Sequence, residues 1–372
     1  MRNGTQSLPT SLPKTTLAIC PGGEGVGSVV GRRPSALQDP MSRYDLALPL
    51  LLAAGSFDVV RLIVRLARRF SSRRLHEVPH RAGVSAGDAA CYAEDGVCIL
   101  RGIVNADEVK ALRHALDRVQ ASEGAGEFMG SMGTSGGWTA KFLWRTQPEV
   151  RAVALESRLA KAVAQLMRSR TTNLLYDHTC VKEPGDVAPT LWHHDINYLP
   201  VEPPDAFASA WVALDDVGAA QGRLEFIRGS HRWRNDDGTS RRFTPMDFPT
   251  MAAVPDDTWQ HPENPSRRGF EPLPDIERRR AAYDIVTTDV KSGDAIIFHG
   301  LTLHYSAGNK DAGCRRRALS LRYTADGARF TPRNKGIASG WPPPGPEALL
   351  RPGDPLTCEI WPVAYDEEWW SG

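Results

Sequence analysis

Two histidines and an aspartate stand together as His193-His194-Asp195 inside the stretch LWHHDINYLP, residues 191–200. Imidazole and carboxylate form a donor set for iron, zinc or manganese, so metal binding is the chemistry to consider first. On a β-strand side chains alternate, and His193 and Asp195 share one face while His194 takes the other. On a helix, residues two apart do not face each other. An extended backbone therefore presents one nitrogen and one oxygen to a common point, and no other histidine in the chain precedes an aspartate by two positions. The third ligand has to come from elsewhere. Residues 294–309, DAIIFHGLTLHYSAGN, carry His299 and His304 after a Gly-Asp turn and an apolar strand, and either could reach the same point. Two imidazoles and one carboxylate leave about half of an octahedral ion's positions open, the arrangement of non-heme iron(II) oxygenases.

Another histidine pair is a decoy. HEVPH, residues 76–80, has the spacing of a zinc-protease motif, which works only on a helix, where residues four apart share a face. Pro79 removes a helical hydrogen bond and clashes with the preceding turn, so that chemistry is set aside.

Bringing residue 193 against residue 304 needs a scaffold of distant strands. After about residue 170 the chain runs through TTNLLYDHTCV, FASAWVALDDV, GRLEFIRGS, YDIVTTDV, DAIIFHG and RRALSLRYTA, punctuated by Gly, Pro, Asn and Asp. Many short strands at such spacing predict a barrel or sandwich. Upstream, YAEDGVCILRGIV (92–104) predicts a turn at Asp95-Gly96 and then a short buried strand. Asn105, with Glu108 three residues on, is a capping box that opens a helix whose apolar stripe is Val109, Leu112, Leu116 and Val119. A second helix is predicted over about 156–168, with Leu159, Val163 and Leu166 on one face. The fold class is mainly β with flanking helices.

The 372-residue chain is 41% hydrophobic and 24% charged, enough to bury a substantial core. Lys+Arg 45 against Asp+Glu 44 gives net charge +1, with no basic excess for nucleic acid and no acidic tail. Six cysteines, at 20, 91, 98, 180, 314 and 358, form no CxxC and no disulfide framework, which points to free thiols in a reducing compartment. Residues 1–42 are expected to be a disordered leader, poor in apolar periodicity and without the apolar region of a secretory signal. Residues 43–74 are expected to be an amphipathic helical segment. Within it, FDVVRLIVRLARRF (57–70) sets Arg61, Arg65, Arg68 and Arg69 against an apolar stripe that could lie on an anionic membrane surface or pack on its own domain. The apolar run at 46–54 falls short of the roughly 20 residues a transmembrane helix needs. The expectation is a cytoplasmic protein with one catalytic domain over 75–372.

LWHHDINYLP, WVALDDVGAAQGRLEFIRGSH, GDAIIFHGLTLHYSAGN and RRALSLRY, in that order, resemble the phytanoyl-CoA dioxygenase family of iron(II)/2-oxoglutarate oxygenases. The resemblance runs from about residue 92 to about Tyr323. It implies a double-stranded β-helix, the cupin-like jelly roll, and a cofactor set of Fe(II), 2-oxoglutarate as co-substrate and O2, with ascorbate as reductant in vitro. Carried over residue by residue, the metal ligands are His193, Asp195 and His304. His304 is favoured over His299 because the family's distal ligand directly precedes a small-residue turn, here YSAGN; Tyr305 stands where the family often has glycine. The family also anchors the far carboxylate of 2-oxoglutarate with an arginine, whose forked guanidinium matches a carboxylate. Alternation groups Arg316 with Ala318 and Ser320, and Arg317 with Leu319 and Leu321, so Arg316 is the choice and Arg315 the alternative. By the same similarity Trp211 walls the co-substrate, and Lys141 and His178 contact it. Gly222 and Gly229 are expected at turns near the mouth.

The resemblance implies hydroxylation of an aliphatic C–H on a small-molecule substrate, releasing succinate and CO2. Desaturation or cyclisation on the same fold, or a catalytically silent jelly-roll binding protein, are the alternatives. Halogenation needs an open position where Asp195 stands. The segment from about 232 to 288, rich in Arg, Pro and aromatics, is expected to be a lid or binding loop between strands.

Overall fold

A computed structural model of the chain describes residues 84–121, 130–131, 137–196, 199–243, 270–331, 350–357 and 361–370. The chain divides into two units, 1–76 and 77–372, and the described residues belong to the second. The expected leader (1–42), the amphipathic segment (43–74), the decoy at 76–80 and residues 244–269 of the long insert lie outside the described residues.

Helix α1 (Ala86–Asp95) begins where Ser85 Oγ accepts from the Asp88 amide at 3.1 Å and Asp88 Oδ2 accepts from the Ser85 amide at 3.0 Å. This helix is an addition to the expected elements, although its Ser-x-x-Asp capping box is present in the sequence. The expected turn at Asp95-Gly96 is its C-terminal end, with Gly96 in the left-handed region at φ 77°. Strand β1 (Val97–Leu100) follows. Asn105 caps α2 (Ala106–Ala121) as expected: its Oδ1 accepts from the Glu108 amide at 2.9 Å, and Glu108 Oε2 accepts from the Asn105 amide at 2.7 Å. Helix α3 (Arg158–Met167) starts at Ser157 and buries Leu159, Val163 and Leu166.

The remaining main strands are β2 (Gly130–Ser131), β3 (Trp138–Thr139), β4 (Thr171–Lys182), β5 (Thr190–His193), β6 (Phe207–Ala213) and β7 (Leu224–Ile227). They continue with β8 (Ile285–Thr287), β9 (Ala295–His299), β10 (His304–Ser306), β11 (Arg316–Ala325) and β12 (Val363–Asp366). One sheet runs β1-β9-β6-β11-β4-β3-β2, with β12 added to β4, and the second runs β8-β7-β10-β5. All these pairings are antiparallel.

Alternation along the strands of the large sheet gives it two apolar faces. Ala210, Val212, Leu319 and Leu321 pack outward against Leu112, Leu116, Leu159 and Val163 of α2 and α3. Their neighbours Trp211, Ala213 and Ala318 point the other way, joining Ile296 and Phe298 of the large sheet and Leu224 and Phe226 of the small one. Each fully buried aliphatic side chain contributes roughly 1.5–3 kcal/mol, so both layers are held strongly. Two facing antiparallel sheets with an enclosed apolar interior form a jelly roll, with the helices on its outer face.

Candidate metal centre

His193 is the last residue of β5, and the ladder sets it directly opposite His304, the first residue of β10. Their rings lie 4.1 Å apart at the centroids. The strand expected to run through Asp195 stops at His193. There the backbone leaves the β10 ladder, and the Ile196 amide donates instead to the Gly300 carbonyl at 3.1 Å. The two-residue alternation survives this bend. Asp195 Oδ1 lies 3.6 Å from His193 Nε2 and 3.7 Å from His304 Nε2. One donor atom from each of the three residues falls within 4.8 Å of the others, close enough for a single ion to bridge. His194 turns to the outer face, its ring 5.2 Å from that of Phe243, and neither ring nitrogen has a partner among the described residues.

The imidazoles are oriented from behind. His193 Nδ1 is 2.7 Å from the Leu191 carbonyl and His304 Nδ1 is 3.0 Å from the Thr302 carbonyl. A carbonyl only accepts, so each Nδ1 carries a proton and each Nε2 is turned toward Asp195. Burial, reinforced by His193, pushes the His304 pKa down to about 3, leaving a neutral ring at neutral pH. Burial alone would raise the Asp195 carboxyl, but Arg322 and then His304 and His193 outweigh it and hold the group well below the usual carboxylate range. A charged carboxylate beside the neutral His304 imidazole suits a divalent ion, which binds deprotonated ligands.

His299, the alternative third histidine, lies elsewhere. Its Nε2 is 3.0 Å from Asp205 Oδ1, and its Nδ1 accepts from the Leu301 amide at 3.1 Å.

Of the three consecutive arginines, Arg315 pairs with Glu183 and Asp117 at 2.8 and 3.2 Å, and Arg317 pairs with Asp215 at 2.9 Å. Arg316 is 1% exposed and has no carboxylate partner among the described residues. Its guanidinium reaches from the large sheet toward the small one, with Nη1 3.4 Å from Ser306 Oγ, Cζ 5.6 Å from the Trp211 ring centre and Nε unpartnered. An unpaired buried guanidinium is costly, and an anionic ligand would relieve it. Beside it Lys182 donates to the Ala188 and Ala307 carbonyls at 2.9 and 2.8 Å. Gly222, at φ +71°, lets this corner close: a Cβ there would stand 2.2 Å from the Ala307 carbonyl oxygen. Lys141 pairs with His178 across a β-bridge. Burial and then Arg322 lower the Lys141 pKa; burial, Lys141 and Arg322 lower that of His178 well below its usual value.

The family of Phytanoyl-CoA dioxygenase (PhyH) matches residues 92–318, well over half of the chain. The chain belongs to the phytanoyl-CoA dioxygenase family. Among relatives of this family, the Danio rerio phytanoyl-CoA dioxygenase domain-containing protein 1 is 32% identical over 137 residues, which cover 36% of this chain and 39% of that protein. The match thus spans well under half the length of that relative. The crystal structure of the non-heme alpha ketoglutarate dependent carbocyclase SnoK from nogalamycin biosynthesis aligns at TM-score 0.59 and 24% identity, covering 76% of this chain and 96% of that one. EctD from S. alaskensis, crystallised with 2-oxoglutarate and 5-hydroxyectoine, aligns at TM-score 0.52 and 22% identity over 76% of this chain and 89% of that one. These two likenesses establish the jelly-roll fold of this family member.

Two polar residues at the site carry no expectation from sequence. Ser209 Oγ donates to Asp195 Oδ2 at 2.6 Å, and Arg322 Nη2 lies 3.0 Å from the same oxygen. The signal for Arg322 was present: in RRALSLRY it continues the 316, 318, 320 alternation into the interior. Ser209 has no comparable signal, because a serine in FASAWVALDDV looks like any small strand residue.

Proposed function

We propose that the protein is an iron(II)/2-oxoglutarate-dependent dioxygenase that hydroxylates an aliphatic C–H of a small-molecule substrate. One observation carries the reading: a carboxylate and two imidazoles converge on one point, while the same interior holds a buried guanidinium without a carboxylate partner among the described residues. In this reading His193 Nε2, Asp195 Oδ1 and His304 Nε2 hold the iron, and Arg316 pairs with the far carboxylate of 2-oxoglutarate. Iron bound there supplies the activation of O2 that is coupled to decarboxylation of 2-oxoglutarate to succinate and CO2.

The chain's own residues then have separable tasks. The Leu191 and Thr302 carbonyls accept from Nδ1 of the two rings and so turn both Nε2 atoms toward the metal position. Arg316 orients the co-substrate by a two-pronged contact, and Trp211 packs against that guanidinium. Lys141 and His178 extend the polar wall along β4 and contact the co-substrate. Phe226 and Phe298, whose rings lie 5.9 and 4.6 Å from that of His304, exclude water from one side of the centre.

The test is succinate formation in air with Fe(II), 2-oxoglutarate and ascorbate, comparing wild type with Asp195→Ala and Arg316→Ala. Uncoupled turnover needs no knowledge of the substrate. Succinate from wild type and none from Asp195→Ala is the expected result. A wild-type protein that binds neither iron(II) nor 2-oxoglutarate overturns the reading and leaves a silent jelly-roll binding protein.

A further inference from the structure

We infer that Ser209 and Arg322 are positioning residues that restrict Asp195 to one-oxygen metal ligation, with Oδ1 turned to the two histidines and Oδ2 retained by the protein. The inference deepens the iron(II) reading and rests on it. The two carboxylate oxygens have different environments. Oδ1 faces His193 Nε2 and His304 Nε2 at 3.6 and 3.7 Å. Oδ2 accepts from Ser209 Oγ at 2.6 Å and forms an ion pair with Arg322, whose Nη2 lies 3.0 Å away.

The register explains how a hydroxyl and a guanidinium reach one atom. Arg322 on β11 stands opposite Ser209 on β6 and opposite Tyr176 on β4, so three adjacent strands of the large sheet form one row. That row faces Asp195, which follows β5 of the small sheet. Arg322 is held in place in turn: Nη1 donates to Ser320 Oγ, and Cζ lies 6.0 Å from the Tyr176 ring centre. The guanidinium and the hydroxyl are buried, at 6% and 0% exposure for their residues. For Oδ2 to turn onto a metal, the Ser209 hydrogen bond and the Arg322 ion pair must both break in a buried site. One-oxygen ligation keeps a coordination position free for the co-substrate, and a chelating carboxylate would take it. Arg322 lies beyond the family match at 92–318, so its role is argued from these contacts alone.

The direction of the effect separates positioning from charge. A guanidinium acting only through its charge opposes a dication, and its removal would tighten metal binding. A guanidinium that orients the ligand does the opposite. Cobalt(II) is the probe, titrated into wild type, Asp195→Ala, Ser209→Ala and Arg322→Gln, with affinity and the visible d–d spectrum both recorded. One cobalt(II) bound by wild type and none by Asp195→Ala upholds the metal reading itself, whose failure this comparison separates from failure of the positioning role. In Ser209→Ala and Arg322→Gln the affinity is expected to fall about 10–100-fold, as for other partners of metal ligands, with an altered d–d spectrum. Unchanged or tighter binding with the wild-type spectrum overturns the inference. If Arg322→Gln does not fold, Ser209→Ala decides alone, because it removes only a hydroxyl.

Discussion

At the residue scale, the interior holds charged groups whose partners are unequal. Asp195 is compensated by Arg322 and Ser209, whereas Arg316 has, among the described residues, a hydroxyl and an aromatic face. Charge-assisted hydrogen bonds contribute roughly 1.5–3 kcal/mol. Arg316→Ala is therefore expected to weaken 2-oxoglutarate binding by about 10–100-fold, at 1.4 kcal/mol per factor of ten, while cobalt(II) affinity stays within a few-fold of wild type. Calorimetric titration of each ligand checks both parts. Lys182 gives a pH prediction. Burial, and then Arg316, pull its pKa down to about 7. An unfolded lysine titrates near 10.4, so between about 7 and 10.4 the unfolded chain holds the extra proton and stability rises with pH. Below that window both states are protonated and the dependence vanishes. Lys182→Met is expected to flatten this rise, read from urea midpoints measured across the window.

At the element scale, local signals and close approaches set the cost of change. The Asn105 cap of α2 satisfies one helix-terminal amide, so Asn105→Ala should destabilise the fold by about 1 kcal/mol without altering cobalt(II) binding. Leu116 lies on the same helix, buried against the large sheet, and Leu116→Ala should cost about 2–5 kcal/mol through the cavity left behind. Chemical denaturation measures both, and equal losses would mean that the α2 interface is not packed as described. Gly222 behaves differently. With its positive φ and a Cβ destined to meet the Ala307 carbonyl, Gly222→Ala strains the turn whose carbonyl accepts from Ser306 Oγ, the hydroxyl next to Arg316. Its expected signature is weaker 2-oxoglutarate binding as well as lower stability, with strain on the order of 1–3 kcal/mol.

At the scale of the whole molecule, the candidate centre is shared between sheets. His193, Asp195 and His304 come from the small sheet and its edge; Arg316, Arg322, Ser209 and Trp211 come from the large one. A metal bound by the native arrangement and not by the unfolded chain must stabilise the fold, by about 2.7 kcal/mol at a free concentration of 100 Kd. Cobalt(II) or manganese(II) is therefore expected to raise the melting temperature of wild type, a chelator to reverse the rise, and Asp195→Ala to show none. A thermal scan in each condition checks this. Equal shifts in wild type and Asp195→Ala would place the bound metal elsewhere.

Much of this was legible along the chain. Short alternating runs determined the strands, the Asn105–Glu108 box determined the start of α2, and the period-two rule put Arg316 on the opposite side from Arg317. These are local properties: each depends on a few neighbouring residues and on backbone geometry that the sequence dictates by itself. Tertiary structure decided what depends on distant partners. Which histidine stands opposite His193 is a matter of β5–β10 register, and the ladder chose His304 while Asp205 engages His299. That Arg315 and Arg317 find carboxylates among the described residues and Arg316 does not follows from which elements close over each of them. The meeting of Ser209, Arg322 and Asp195 joins residues 209 and 322 of one sheet to residue 195 beside the other. No local pattern encodes such a contact, because its energy exists only once two sheets have packed face to face and expelled the water between them.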